Sequence, residues 1–84
     1  MAQPVRNALT VFDYVSASAN TTKTYANNFI HSLKIKNDGA SDISVTVNGL
    51  TMAIKPSEVF EESVAATNTF TITAAVAFRC WVRE

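Results

Sequence analysis

His31 and Cys80 are the only histidine and the only cysteine among the 84 residues, so they are the first candidates for nucleophilic or acid–base chemistry. Such catalysis needs a nucleophile, a base and a stabilising group in contact, and neither residue has a recognisable partner of this kind nearby in the sequence. Cys80 lies between Phe78 and Val82 on an apolar face, where a thiol behaves as a small hydrophobic side chain. We therefore expect His31 on a strand face, Cys80 in the core, and no enzyme active site.

Acidic residues form two candidate cation sites. Glu58, Glu61 and Glu62 could supply carboxylates, and the polar segment 37–39 together with Asp42 could supply further oxygen ligands. The glutamates lack the loop spacing of a calcium site, and turn formation alone accounts for the second group. The sequence therefore predicts a solvated rim for the glutamates, a turn for the second group, and no metal or other cofactor.

The closing segment carries the strongest surface signal. Arg79, Trp81 and Arg83 alternate with core-type residues, and tryptophan and arginine are the residues most enriched at interface hot spots. We predict an interface there. The alternative is that Trp81 closes the second side of a thin sandwich with the arginines stacked over it. Tyr14 and Tyr25 are secondary candidates for a contact surface or for stacking on a sugar, and structural packing is the alternative for each.

Composition limits the class of partner. Seven Lys and Arg balance seven Asp and Glu, so there is no net positive charge to favour a nucleic acid. Only 17% of the residues are charged, which is low for the surface of a free-standing monomer and favours a homo-oligomer, a trimer being one expected size. The N-terminal residues lack the pattern of a secretory signal, and no apolar stretch is long enough to cross a membrane. We expect residues 1–8 to form an arm and residues 9–84 a single domain.

A β-hairpin is the clearest structural element in the sequence. Asn48-Gly49 supplies the two positive φ angles of a type I′ turn, and the segments on both sides alternate apolar and polar residues. This turn predicts the register in which Val47 faces Leu50, Val45 faces Met52, Ile43 faces Ile54, Thr46 faces Thr51 and Ser44 faces Ala53. One face of the hairpin is then wholly apolar, and we expect it to be buried.

Strand patterns recur along the rest of the chain. Strands are predicted at 9–15, in a short piece near 22–25, at 29–36 with His31, Leu33 and Ile35 on one side, and at 59–64 with Phe60 and Val64 on one face. From Phe70 to Val82 the even positions are apolar or small, with a bend at Ala74-Ala75 that preserves the alternation. No window carries the apolar stripe of a helix. The sequence thus predicts an all-β fold, a small antiparallel sandwich or jelly roll.

Several of these segments occur in a familiar order. The stretch 35–43, the Asn48-Gly49 hairpin, Lys55-Pro56-Ser57-Glu58-Val59-Phe60 and Phe78-Arg79-Cys80-Trp81-Val82-Arg83 together resemble small β-rich proteins of tailed bacteriophages and prophages. The resemblance covers roughly the C-terminal two-thirds of the chain. It implies a non-enzymatic virion part, made in the bacterial cytoplasm, that decorates the capsid or associates with the head. The alternative is a tail-tip or fibre module that recognises a host glycan or protein. The expected partners are capsid or tail proteins.

Overall fold

A computed structural model describes residues 10–27 and 29–84, so the predicted arm at residues 1–8 lies outside the described residues. The fold is all-β, as predicted. Two antiparallel sheets of four strands face each other, with strand orders β1-β8-β3-β6 and β2-β7-β4-β5. The strands are β1 Val11–Ala17, β2 Thr21–Thr24, β3 Ile30–Asn37, β4 Ile43–Val47, β5 Leu50–Ile54, β6 Val59–Thr67, β7 Thr69–Thr73 and β8 Phe78–Arg83.

The strand pairing follows a simple rule. β4 pairs with β5, β3 with β6, β2 with β7 and β1 with β8, so the chain resembles one long hairpin with the β4–β5 turn at its tip. Wrapping that hairpin into a sandwich adds the contacts of β3 with β8 and of β4 with β7. Eight strands connected in this way form a jelly roll.

The predicted hairpin is confirmed in full register, from Val47 opposite Leu50 to Ile43 opposite Ile54. Asn48 and Gly49 have φ angles of 53° and 77°, as a type I′ turn requires. The apolar face is buried at its base, but near the tip Leu50 remains 63% exposed. The expectation that the whole face is buried is therefore wrong at its outer end.

Among residues 10–27 and 29–84, 14 buried apolar residues form the core between the sheets, nearly all of them from strands of both sheets. The alternation predicted from Phe70 to Val82 is confirmed, because the even residues of β7 and β8 are buried and the chain bends at 74–77 without changing parity. The buried set is Val15, Ile30, Leu33, Ile35, Ile43, Val45, Val47, Ile54, Phe70, Ile72, Ala74, Phe78, Cys80 and Val82.

Two local predictions are corrected. His31 was expected beside Leu33 and Ile35, but the register shifts between Ile30 and Ser32, which buries Ile30 and exposes His31. Two positions along β3 there match four along β6, from Thr67 to Ser63, and the adjacent Ser32 and Leu33 are both buried, so the alternation is interrupted. The strand predicted at 59–64 also continues further, and β6 ends at Thr67.

The turn after β3 depends on the fully buried Asn37. Its Nδ2 donates to the carbonyl oxygens of Ser41 at 2.8 Å and Ile54 at 2.9 Å, and its Oδ1 accepts from the Gly39 amide at 2.9 Å. One side-chain amide thus provides hydrogen-bond partners for backbone groups at both ends of the turn and for the carbonyl of the last residue of β5.

Gly39 is required for space, since its φ is not positive. A Cβ at this position would lie 2.2 Å from the Cβ of Val76. We predict that Gly39→Ala destabilises the fold by about 2 kcal/mol through overpacking. Urea unfolding of the variant measures this, and Gly39→Ala with Val76→Gly should recover part of the loss. An unchanged midpoint for Gly39→Ala would contradict the close packing of these two loops.

Candidate interface on the outer face of the first sheet

Four side chains align in a row across the outer face of the β1-β8-β3-β6 sheet. Tyr14 on β1 is opposite Trp81 on β8, Trp81 is opposite Lys34 on β3, and Lys34 is opposite Glu61 on β6. The Tyr14 and Trp81 rings lie 5.5 Å apart, and the Lys34 Nζ lies 5.4 Å from the indole centroid. We call the surface formed by Tyr14, Lys34, Lys36, Glu61, Arg79, Trp81 and Arg83 the Trp81 face.

Both arginines of this face are held by carboxylates. Arg79 forms a two-point contact with Asp38, with donor–acceptor distances of 2.7 and 2.9 Å, and Arg83 donates to Glu61 at 2.6 Å. These hydrogen bonds lower the pKa of Asp38 and of Glu61 and raise the pKa of Arg79. Exposed ion pairs add little stability, so their main consequence is to fix the direction of each guanidinium.

Positive charge and aromatic surface coincide here. Lys34, Lys36, Arg79 and Arg83 are four of the seven Lys and Arg in the chain, and among residues 10–27 and 29–84 only Asp38 and Glu61 form ion pairs with them. The Arg79 guanidinium carbon lies 5.6 Å from the Trp81 ring centroid, so the indole has a cation from each of two sides. The arrangement suits recognition of a complementary surface.

Tyr25 lies apart from the other four predicted interface residues. Its ring packs edge-on against Phe12 at 4.9 Å, and its hydroxyl donates to Asp13 Oδ2 at 2.5 Å. Asp13 is on β1 and Tyr25 follows β2, so this contact joins the edge strands of the two sheets. Burial and the neighbouring Asp13 carboxylate raise the pKa of Tyr25. The structure thus brings Arg79, Trp81, Arg83 and Tyr14 together on one face and places Tyr25 at the closed edge of the sandwich.

Alkaline pH should weaken the fold through two groups. Burial raises the pKa of the Cys80 thiol to about 12, and the pKa of Tyr25 is also raised, so both stay neutral in the folded chain. The unfolded chain loses these protons from about pH 9 for cysteine and about pH 10 for tyrosine. The contribution of these two groups to the free energy of unfolding should therefore be constant below about pH 8 and fall as pH rises through these values. Urea unfolding from pH 7 to 11 tests this. Cys80→Ala should remove the earlier part of the fall and Tyr25→Phe the later part, and an identical pH profile for both variants would refute the assignment.

The remaining chemical candidates are dispersed. His31 is exposed, Cys80 is buried, and the Glu58 carboxylate accepts a hydrogen bond from the Lys55 amide at 2.8 Å within a turn. Glu61 is paired with Arg83, whereas Glu62 points into a groove at the β5–β6 edge. Among residues 10–27 and 29–84 there is no group of three His, Cys, Asp or Glu side chains that could hold a metal ion. In the same residues no helix could cross a membrane.

The outer face of the second sheet is chemically different, and the sequence predicted only its Thr46–Thr51 pair. Thr22, Thr71, Thr46 and Thr51 form a row across all four strands, with hydroxyl oxygens 2.9 Å apart in the pairs Thr22–Thr71 and Thr46–Thr51. The alternating threonines of β2 and β7 were the available signal. These hydroxyls bond to each other and carry no charge. The threonine row is therefore neutral, whereas the Trp81 face is aromatic and cationic.

Comparison with protein-family models, with curated proteins and with solved structures gave no significant match.

Proposed function

We propose that this chain is a non-enzymatic structural subunit of a tailed-phage virion, a decoration or head-associated protein that binds the particle through the Trp81 face. The observation that carries the proposal is the aligned row of Tyr14, Trp81 and Lys34 between two oriented arginines. An aromatic centre with cations around it is typical of the anchor residues that dominate protein interfaces. The proposed partner is therefore a capsid or head protein with an apolar, acidic patch.

Two further points support this function. Eight-stranded jelly rolls occur in viral capsid proteins, although the architecture by itself does not determine function. A small subunit present in many copies on a lattice also gains occupancy from multivalency, so a modest contact at each Trp81 face is sufficient. Subunits that bridge neighbouring capsid proteins would then stabilise the particle against expansion.

A tail-tip or fibre module is the second candidate. Jelly rolls also occur in lectins, and the exposed Tyr14 ring next to Trp81 offers an aromatic surface for a sugar ring. Binding of the purified chain to a glycan array, lost in Trp81→Ala, would favour this function over capsid decoration.

The proposal is tested by the composition of phage particles. Gradient-purified particles from the strain that encodes the chain should contain it in many copies, and immunogold labelling should place it on the head. Labelling at the tail tip would favour the second candidate. Absence of the chain from particles, with the chain present in the same lysate, would overturn both.

A further inference from the structure

The two sides of the sandwich differ. On one side Tyr25 and Asp13 connect the edge strands β1 and β2, as described above. On the other side the edge strands β5 and β6 leave an open groove of about 400 Å³. The groove has a largely apolar lining that includes Val47, Leu50, Met52, Phe60 and Val64, and Glu62 is its single acidic residue.

The groove suits an extended peptide segment with apolar side chains and one cation. Leu50, at the groove's rim, is 63% exposed, the highest value among the large hydrophobic residues described. The Glu62 side chain makes no hydrogen bond or ion pair with any residue in 10–27 or 29–84. Within the part of the chain that the structure describes, β6 pairs only with β3, so its outer edge has backbone groups available to an added strand.

The chain contains a segment with this chemistry. The nine residues before Thr10 include Pro4, Val5, Ala8 and Leu9, and their only charged side chain is Arg6. An apolar segment with one arginine is complementary to an apolar groove with one glutamate.

Distance along the fold shows which copy supplies the segment. One row across the sheet contains Asp13, Val82, Leu33 and Glu62, so Glu62 lies three strands away from β1. Measured along the strand direction, this row lies three residues from Thr10. The path around the end of the sandwich is roughly 24 Å, given strand spacings of about 4.8 Å and a rise of about 3.3 Å per residue. The four residues from Thr10 back to Arg6 span at most about 14 Å. Within one copy, Arg6 would meet Glu62 only if the segment and both side chains were fully extended, which would leave residues 7–9 outside the groove. A second copy can approach the groove without this constraint.

We infer that residues 1–9 of one copy occupy the β5–β6 groove of a second copy, with Arg6 paired to Glu62, and that this exchange holds the homo-oligomer together. The inference does not depend on what the Trp81 face binds. It is a heterologous contact, so it closes into a ring when the rotation between copies permits.

A charge exchange in the full-length chain tests this. Arg6→Glu and Glu62→Arg should each raise the dissociation constant of the oligomer about tenfold or more, and the double variant should restore it to within about threefold. Light scattering across a dilution series gives these constants. Lys23→Glu and Asp42→Arg make the same charge changes at exposed or half-exposed positions away from the groove and should have little effect.

Each contrary outcome is informative. Failure of the double variant to restore association would overturn the Arg6–Glu62 pairing. A wild-type chain that is monomeric at every concentration would overturn the exchange between copies. If the substitutions then changed only the stability of that monomer, the segment would be assigned to the groove of its own copy. Co-purification of a small apolar molecule with unchanged association in both single variants would assign the groove to that ligand instead. None of these results alters particle binding through the Trp81 face, so the two proposals fail separately.

Discussion

Trp81→Ala is expected to weaken binding to the particle by about thirtyfold or more, corresponding to the loss of ~2 kcal/mol that defines a hot spot. The indole contacts Tyr14 and two cations, so its removal deletes the centre of the face and leaves the surrounding charges without an apolar surface. The measurement is co-sedimentation of the purified variant with particles produced without the chain, over a range of chain concentrations.

The fold itself should tolerate this substitution. Trp81 is half-buried on an outer face. Truncating a side chain that pairs across strands lowers the free energy of unfolding by about 1 kcal/mol. Trp81→Phe should retain part of the binding because it keeps an aromatic ring. Phe29→Ala, which removes an aromatic ring that is 60% exposed but belongs to no predicted site, is the matched control and should bind as wild type. Equal binding by Trp81→Ala and Phe29→Ala would disprove the role of the face.

Asn37→Ala should destabilise the fold by about 3 kcal/mol, the largest stability effect we expect from a polar side chain in this protein. The substitution removes three hydrogen bonds at once and leaves the Ile54 carbonyl without its side-chain donor in the interior. Urea unfolding followed by circular dichroism gives the free energy of unfolding, and the midpoint should fall with little change in slope.

Asn68→Ala is the control for this prediction. Its amide donates one long hydrogen bond of 3.3 Å at an exposed position, so the loss should be less than about 1 kcal/mol. Asn37→Asp provides a second comparison, because a carboxylate keeps the acceptor for Gly39 but replaces the donors to Ser41 and Ile54. It should be at least as destabilising at pH 7 and partly recover at acid pH, where the neutral acid regains a donor. Equal stabilities for Asn37→Ala and Asn68→Ala would show that the buried turn does not depend on Asn37.

Local sequence predicted the elements that are governed by local chemistry. The Asn48-Gly49 turn fixes its own φ angles and hence the register of β4 and β5. The alternation from Phe70 to Val82 survives the bend because the buried residues on its two sides, Ala74 and Phe78, are four positions apart, which is an even interval. All-β architecture and the sandwich followed from such patterns.

Other features depend on pairing between distant strands, which alternation cannot show. The register shift before Ser32 accompanies the exposure of His31, and it is visible only in the pairing of β3 with β6. Asn37 reads as an ordinary turn residue, yet its importance comes from Ile54, 17 positions away. The groove at β5–β6 results from the strand order, which leaves these two strands at the edges.

The candidate interface was predicted in part for the same reason. Parity placed Arg79, Trp81 and Arg83 on one side of β8. The structure places Tyr14, which was named as a candidate by residue type, beside them on β1, and it adds Lys34 on β3. Nothing local to Lys34 indicates that it lies over an indole. Tyr25 was grouped with these residues by type alone, and its contacts with Phe12 and Asp13 depend on how β1 and β2 meet.

The most direct test of the central claim uses Trp81 as a reporter, because it is the only tryptophan in the chain. Its fluorescence should be recorded for the free chain and for the chain added to particles produced without it, together with quenching by acrylamide. If the Trp81 face binds the particle, emission should shift to shorter wavelength and quenching should fall as the chain co-sediments. Co-sedimentation with unchanged emission and unchanged quenching would show that the particle binds another surface and would contradict the account.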